Sequence, residues 1–132
     1  MKTILVYGTF DLFHIGHLNL LRRARAFGDR LVAGVSTDEF NLAKGKTSAI
    51  PFSDRIQIVA ACRYVDIAIP ESSWEQKAAD INTYAASVVI VDQPFLSRLG
   101  FIADRCQVIA LPRTEGISTT QLKERLGKGG GE

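Results

Sequence analysis

The chain is short of the features that mark several large classes of protein. Its 132 residues hold only two cysteines, Cys62 and Cys106, too few for a disulfide framework. Both sit in apolar stretches and read as reduced, packed residues. No run of ~18 apolar residues occurs, which argues against a membrane-spanning helix. Ile4-Leu5-Val6-Tyr7 near the N-terminus is too short an apolar run for a secretory signal, so a cytoplasmic protein is expected. A charge excess is missing as well. The net charge of +2 implies no broad polyanion-binding field, and any anion site must be local. No basic surface interleaved with aromatics is evident, which speaks against nucleic-acid binding. Histidine is scarce: the chain has two, and both fall within one four-residue segment.

What is present fits one folded domain, with 46% apolar and 23% charged residues. Five apolar runs lack polar alternation, as strands of a parallel sheet covered on both faces do: Thr3–Tyr7, Arg30–Val35, Val65–Ile69, Ser87–Val91 and Gln107–Leu111. Between them, Leu18, Leu21, Ala24 and Phe27 keep a helical spacing, and Gly28 is placed to end that helix. Ser53 is expected to cap a second helix with Ile56, Val59 and Ala60 facing inward. Ser73-Trp74-Glu75-Gln76 is a capping-box pattern opening a third, running to about Ala86, and Ser118–Gln121 repeats the pattern before Leu122 and Leu126. This alternation predicts a single-domain α/β fold over 1–126, a doubly wound five-stranded parallel sheet, with a disordered Gly-rich tail at 127–132. Ligands of such folds bind at the carboxyl ends of the strands.

The motifs fall at those ends. Gly8-Thr9-Phe10-Asp11-Leu12-Phe13-His14-Ile15-Gly16-His17 follows the first strand and enters a helix, whose free N–H groups favour anions. His14 and His17, three apart, can face one ligand there. Gly16 leaves room for close backbone approach of a phosphate, and Gly8 for a sugar or base. Two alternatives stand beside this reading: metal ligation, for which no third ligand is near, and histidines that only cap the helix. The second motif, Arg113-Thr114-Glu115-Gly116-Ile117-Ser118-Thr119-Thr120, brings an arginine and several hydroxyls to another helix start. An ordinary capped helix would explain part of it. Lys44-Gly45-Lys46, with Arg55 nearby in sequence, is either a solvated loop or a site for a phosphate substrate and departing pyrophosphate.

The H-x-G-H segment behind Gly8-Thr9-Phe10-Asp11 resembles the signature of the nucleotidyltransferase superfamily, in particular its cytidylyltransferases. Arg113–Thr120 closely resembles the second signature of that family, which includes the choline-, ethanolamine- and glycerol-phosphate enzymes. Ser36–Asn41, Arg63–Asp66 and Trp74–Lys77 are similar to the glycerol-3-phosphate branch, and the likeness spans roughly residues 3–126. It implies that His14 and His17 bind the triphosphate of CTP and stabilise charge at the α-phosphate, where Thr9 and its backbone assist. Gly8, Phe10, Asp11 and Gly16 complete that nucleotide site. Arg113 and Ser118, with Thr114 and Thr119, would contact the outer phosphates, and Arg55 and Arg63 would assist them. Lys44, Lys46, Trp74 and Lys77 would serve the phosphorylated acceptor, though Trp74 equally suits a core or interface anchor. The resemblance further implies Mg²⁺ entering with CTP, no protein-held metal, and a homodimer joined through Arg63–Ile69. One departure stands out: Asp92-Gln93-Pro94-Phe95-Leu96 replaces a Gly-Asp-Asp-Trp-like segment. Alternatives to glycerol 3-phosphate transfer are another phosphorylated polyol, sugar or amino alcohol as acceptor, an adenylyltransferase, and a non-catalytic nucleotide-binding subunit.

Overall fold

The computed structural model describes residues 1–130; the side chains of 92–95 and 128–130 lie outside the description. Strand β1 (Thr3–Gly8) leads to helix α1 (Ile15–Arg25), then β2 (Arg30–Ser36), the short α2 (Asp38–Ala43), α3 (Phe52–Ala60) and β3 (Ile67–Glu71). The second half runs α4 (Gln76–Tyr84), β4 (Ala86–Asp92), a 3₁₀ segment (Gln93–Ile102), β5 (Gln107–Leu111) and α5 (Thr119–Gly130). All five strands are parallel, in the order β3-β2-β1-β4-β5. The chain winds outward from β1 through β2 to β3, then crosses back to β4 on the other side of β1. The strand order therefore reverses between β1 and β4, which opens a crevice at their carboxyl ends.

Two apolar clusters explain why the strands lack polar alternation. Ile4 and Val6 of β1 join Leu21 and Ala24 of α1 and Val59 of α3 on one face. Leu5 and Tyr7 join Ile81 of α4 and Leu99 and Ile102 of the 3₁₀ segment on the other. Both faces of the sheet are thus covered, as the apolar runs predict.

Several local expectations are corrected. Helix α1 ends at Ala26, and Phe27 is 37% exposed rather than part of the inward stripe. Gly28 is needed for a different reason from helix termination: a Cβ there would stand 2.6 Å from the Lys2 carbonyl oxygen. Ser53 lies inside α3, whose first N–H, that of Phe52, donates instead to Asp38 Oδ2 at 3.1 Å; Ala60 is exposed. Strand β3 continues through Pro70 to Glu71, because an edge strand tolerates a residue without an N–H. Ser73 Oγ does accept from Gln76 N, and Ser118 Oγ from Gln121 N, both at 3.2 Å. Helix α5 runs four residues past Leu126, to Gly130; residues 131–132 of the expected tail lie outside the described residues. No helix among the described residues is long and apolar enough to cross a membrane.

Candidate active site

A cleft of about 410 Å³ opens at the carboxyl ends of the strands. Its first wall is the β1–α1 loop. Phe10 and Leu12 adopt left-handed backbone (φ 56° and 49°), a conformation non-glycine residues hold only when their surroundings impose it. The surroundings do so here. Asp11 is buried, and its carboxylate accepts from Ala49 N at 2.7 Å, Ile50 N at 2.9 Å and Leu12 N at 3.1 Å. Burial acts to raise the Asp11 carboxyl, but the Ala49 and Ile50 N–H bonds and Lys123 hold it below its ordinary value. Arg55, fully buried, donates to the Thr9 carbonyl at 2.7 Å.

The loop delivers both histidines to the start of α1. His14 is the N-cap: its Nδ1 accepts from Gly16 N at 3.0 Å, while His17 Nδ1 accepts from His14 N at 3.1 Å. This is a capping box built from imidazoles. Because each Nδ1 accepts, each neutral ring carries its proton on Nε2. Burial, with His14 alongside, pushes His17 down to about 3, and burial also lowers His14. The rings stack with centroids 3.9 Å apart. The capping alternative is therefore borne out at Nδ1, and it leaves the Nε2 of each ring uncommitted to the cap, which is compatible with the site reading. Gly16 is required by the His14 ring itself, since a Cβ would meet its Cε1 at 2.7 Å.

The second wall is the β5–α5 loop, turned at Gly116 with φ +82°. Thr119 Oγ1 donates to the Asp11 carbonyl at 2.8 Å, leaving its lone pairs toward His14 Nε2 at 3.4 Å. Asn19 of α1 donates to Thr114 Oγ1 at 3.1 Å. The two motifs, about a hundred residues apart in sequence, thus meet at Thr119, through its contacts with Asp11 and His14.

The third wall carries the cations. Lys44 Nζ donates to Ser36 Oγ at 3.1 Å and sits 4.4 Å from the Phe40 ring centroid. Burial pushes Lys44 down to about 8, Glu71 opposing the shift and Lys46, Lys77 and Arg55 adding to it. Lys77 is buried against Glu71, with its ammonium 4.3 Å from the Tyr7 ring and 4.7 Å from Trp74. Burial and a bond to Asp80 raise the Tyr7 hydroxyl, so it stays protonated.

Gly8, Thr9, Phe10, Asp11, His14, Gly16 and His17 all line this cleft. So do Lys44, Lys46, Trp74, Lys77, Arg113, Thr114, Ser118 and Thr119. Two expected residues do not. The Arg55 guanidinium is spent on the Thr9, Ser36 and Ile50 carbonyls and on Asp38. Arg63 is exposed, 5.2 Å from the Tyr64 ring, on the segment that precedes β3; that places it at the amino end of the strands, away from the cleft. The altered Asp92–Leu96 segment follows β4, and its side chains at 92–95 lie outside the described ones; Leu99, farther along, lines the cleft.

The cytidylyltransferase-like family model matches residues 5–125. The chain belongs to that family. This cytidylyltransferase-like chain is 48% identical over 126 residues to glycerol-3-phosphate cytidylyltransferase of Bacillus subtilis (strain 168), covering 96% of this chain and 98% of that protein. It is 45% identical to glycerol-3-phosphate cytidylyltransferase of Staphylococcus aureus (strain NCTC 8325 / PS 47), covering 96% of each. Its fold resembles the crystal structure of the lipopolysaccharide core biosynthesis protein from Thermoplasma volcanium GSS1, with a TM-score of 0.73 at 22% identity over 86% of this chain and 97% of that one.

Sequence reasoning missed Glu71 and Lys123 of this family member's cleft. Glu71 stands behind Pro70, where the apolar strand pattern stops. Lys123 lies one turn into α5, Nζ 3.3 Å from Asp11 Oδ2, and its position at that helix start is the signal that would have found it.

Proposed function

We propose that the protein transfers CMP from CTP to glycerol 3-phosphate, giving CDP-glycerol and pyrophosphate. The observation that carries this reading is the convergence of His14 and His17 with the Arg113–Thr119 loop on one cleft that also holds Lys44, Lys46 and Lys77. The relatives of 45–48% identity over nearly the whole chain support the choice of acceptor.

A phosphate oxygen of the acceptor attacks the α-phosphorus of CTP. A new P–O bond forms there, the bond to the bridging β-oxygen breaks, and pyrophosphate leaves with the electron pair. The attacking oxygen is ionised at neutral pH, so no strong general base is needed. The protein's task is to bring two polyanions together and stabilise the charge that develops. The two Nε2–H groups, held at fixed orientation by their Nδ1 bonds, donate to the α-phosphate without reorganising. The helix starts at Ile15 and Thr119 and the Arg113 side chain receive the triphosphate. Lys44 and Lys77 receive the acceptor phosphate. Of the described carboxylates lining the cleft, Asp11 is filled by protein donors and Glu71 is ion-paired with Lys77, so the donor set does not suit a protein-held Mg²⁺. Magnesium is accordingly part of the MgCTP substrate, neutralising its phosphates. We place the reaction in the cytoplasm and assign the Arg63–Ile69 edge to a homodimer contact.

The test is mass spectrometry of the products from MgCTP and glycerol 3-phosphate. CDP-glycerol and pyrophosphate should appear together. His17→Ala should lower turnover about 10²–10³-fold. His14→Asn keeps a good N-cap while removing the Nε2 donor, and should do the same with the helix intact by circular dichroism. Near-normal turnover in a folded variant overturns the mechanism.

A further inference from the structure

The cleft is crowded with groups that only donate. Lys44, Lys46, Lys77, Lys123, Arg23 and Arg113 all line it, and none can accept a hydrogen bond. Two described carboxylates line it as well, and they differ in what they have left to give. A carboxylate offers about four acceptor positions. Asp11 has filled them: Oδ1 takes Leu12 N and Ile50 N, and Oδ2 takes Ala49 N and Lys123 Nζ. Glu71 has two donors among the described residues. Its Oε1 accepts from Ser36 Oγ at 2.8 Å and its Oε2 from Lys77 Nζ. Glu71 is 3% exposed, so bulk water is in short supply for what remains.

We infer that Glu71 is a specificity-determining residue, which accepts a hydrogen bond from a hydroxyl of the acceptor while Lys44 and Lys77 hold its phosphate. This rests on the cytidylyl-transfer reading above and goes beyond it by naming the group that selects a polyol phosphate. Glu71 stands between the two lysines, joined to Lys77 directly and to Lys44 through Ser36. A hydroxyl two carbons from a phosphate therefore meets the carboxylate when the phosphate meets the ammonium groups. An amino-alcohol phosphate would bring an ammonium to a carboxylate already neutralised by Lys77, with Lys44 adjacent. That is a repulsive placement. A hydrogen bond to an ionised acceptor is stronger than a neutral one, so its loss is measurable.

The experiment compares kcat/KM of the full-length protein, with saturating MgCTP, for glycerol 3-phosphate, 3-hydroxypropyl phosphate, 2-hydroxypropyl phosphate and phosphoethanolamine. In the wild type, 3-hydroxypropyl phosphate, which lacks the hydroxyl two carbons from the phosphate, and phosphoethanolamine should fall about 10–100-fold below glycerol 3-phosphate, whereas 2-hydroxypropyl phosphate, which keeps that hydroxyl, should not. In Glu71→Gln that ratio for 3-hydroxypropyl phosphate should shrink to within about threefold, with KM for CTP unchanged. Because Glu71→Gln leaves Lys77 buried without its counter-charge, the double variant Glu71→Gln/Lys77→Met, which removes both charges at similar volume, serves if the single variant does not fold. Equal use of all phosphates by the wild type, or a ratio that survives the loss of Glu71, overturns the inference while leaving cytidylyl transfer standing. No product from glycerol 3-phosphate in the wild type overturns the functional reading itself and this inference with it.

Discussion

The charge of Lys44, a cation of the cleft, is exposed to a change in pH. Burial pushes its ammonium down to about 8, while Glu71 draws it back up and Lys46, Lys77 and Arg55 act with burial. The charged form is the one that binds phosphate, and it is lost as pH rises through that value. kcat/KM for the acceptor, which reports the free enzyme, should therefore fall above about pH 8, by about tenfold per unit. Lys44→Arg should remove this alkaline limb, because a guanidinium stays charged there, even if overall turnover is lower. A pH profile of both proteins checks it. The histidines behave differently. With each Nδ1 occupied by a backbone N–H, the proposed mechanism uses them as neutral donors, and His17 stays neutral well below neutral pH. Their pairing at a helix start was legible in the sequence because the chain has no other histidine and the segment follows an unmistakable strand. Their orientation was not, since it depends on which ring nitrogen the backbone claims.

Among the elements, α3 is the one whose role reversed. Arg55 looks like a phosphate ligand in sequence because it is basic and near Lys44 and Lys46. In the fold it is fully buried and ties three loops together through Thr9, Ser36 and Ile50, with Asp38 as counter-ion at 2.7 Å. It thereby holds the left-handed Phe10–Leu12 turn in place. Arg55→Met keeps the length of the side chain but strands three carbonyls, while Asp38, half exposed, returns to water. Urea unfolding should show a loss of about 2–4 kcal/mol, and CTP should bind more weakly in calorimetry as the strained loop relaxes. A variant as stable as wild type would refute this role. Periodicity located the strands to within a residue or two because both sheet faces are covered. It misplaced the end of β3, since proline marks a stop in most strands and an edge is visible only once strand order is known. The six-residue α2 is too short to show a helical period, and the ten-residue Gln93–Ile102 segment winds with the three-residue turn of a 3₁₀ helix rather than the α period.

At the level of the molecule, the β3 edge remains open to a second copy. Ile67, Ala68 and Ile69 are only partly buried there, beside exposed Arg63. Sedimentation should give a dimer, and Arg63→Glu should shift it toward monomer; a monomeric wild type would remove this assignment. The sequence alone determined the α/β class, the five strands, and the two loops that line the cleft, because apolar runs and helix starts are local signals. It also carried the family, through two motifs in order. Only the tertiary structure decided which basic residues reach the cleft. A β3-β2-β1-β4-β5 order puts residues that follow strands on one edge of the sheet and those that precede them on the other. Arg113, after β5, therefore lines the site, and Arg63, before β3, stands away from it. Glu71 enters the site for the same reason: strand pairing carries β3 one residue past a proline and leaves its carboxylate between two lysines.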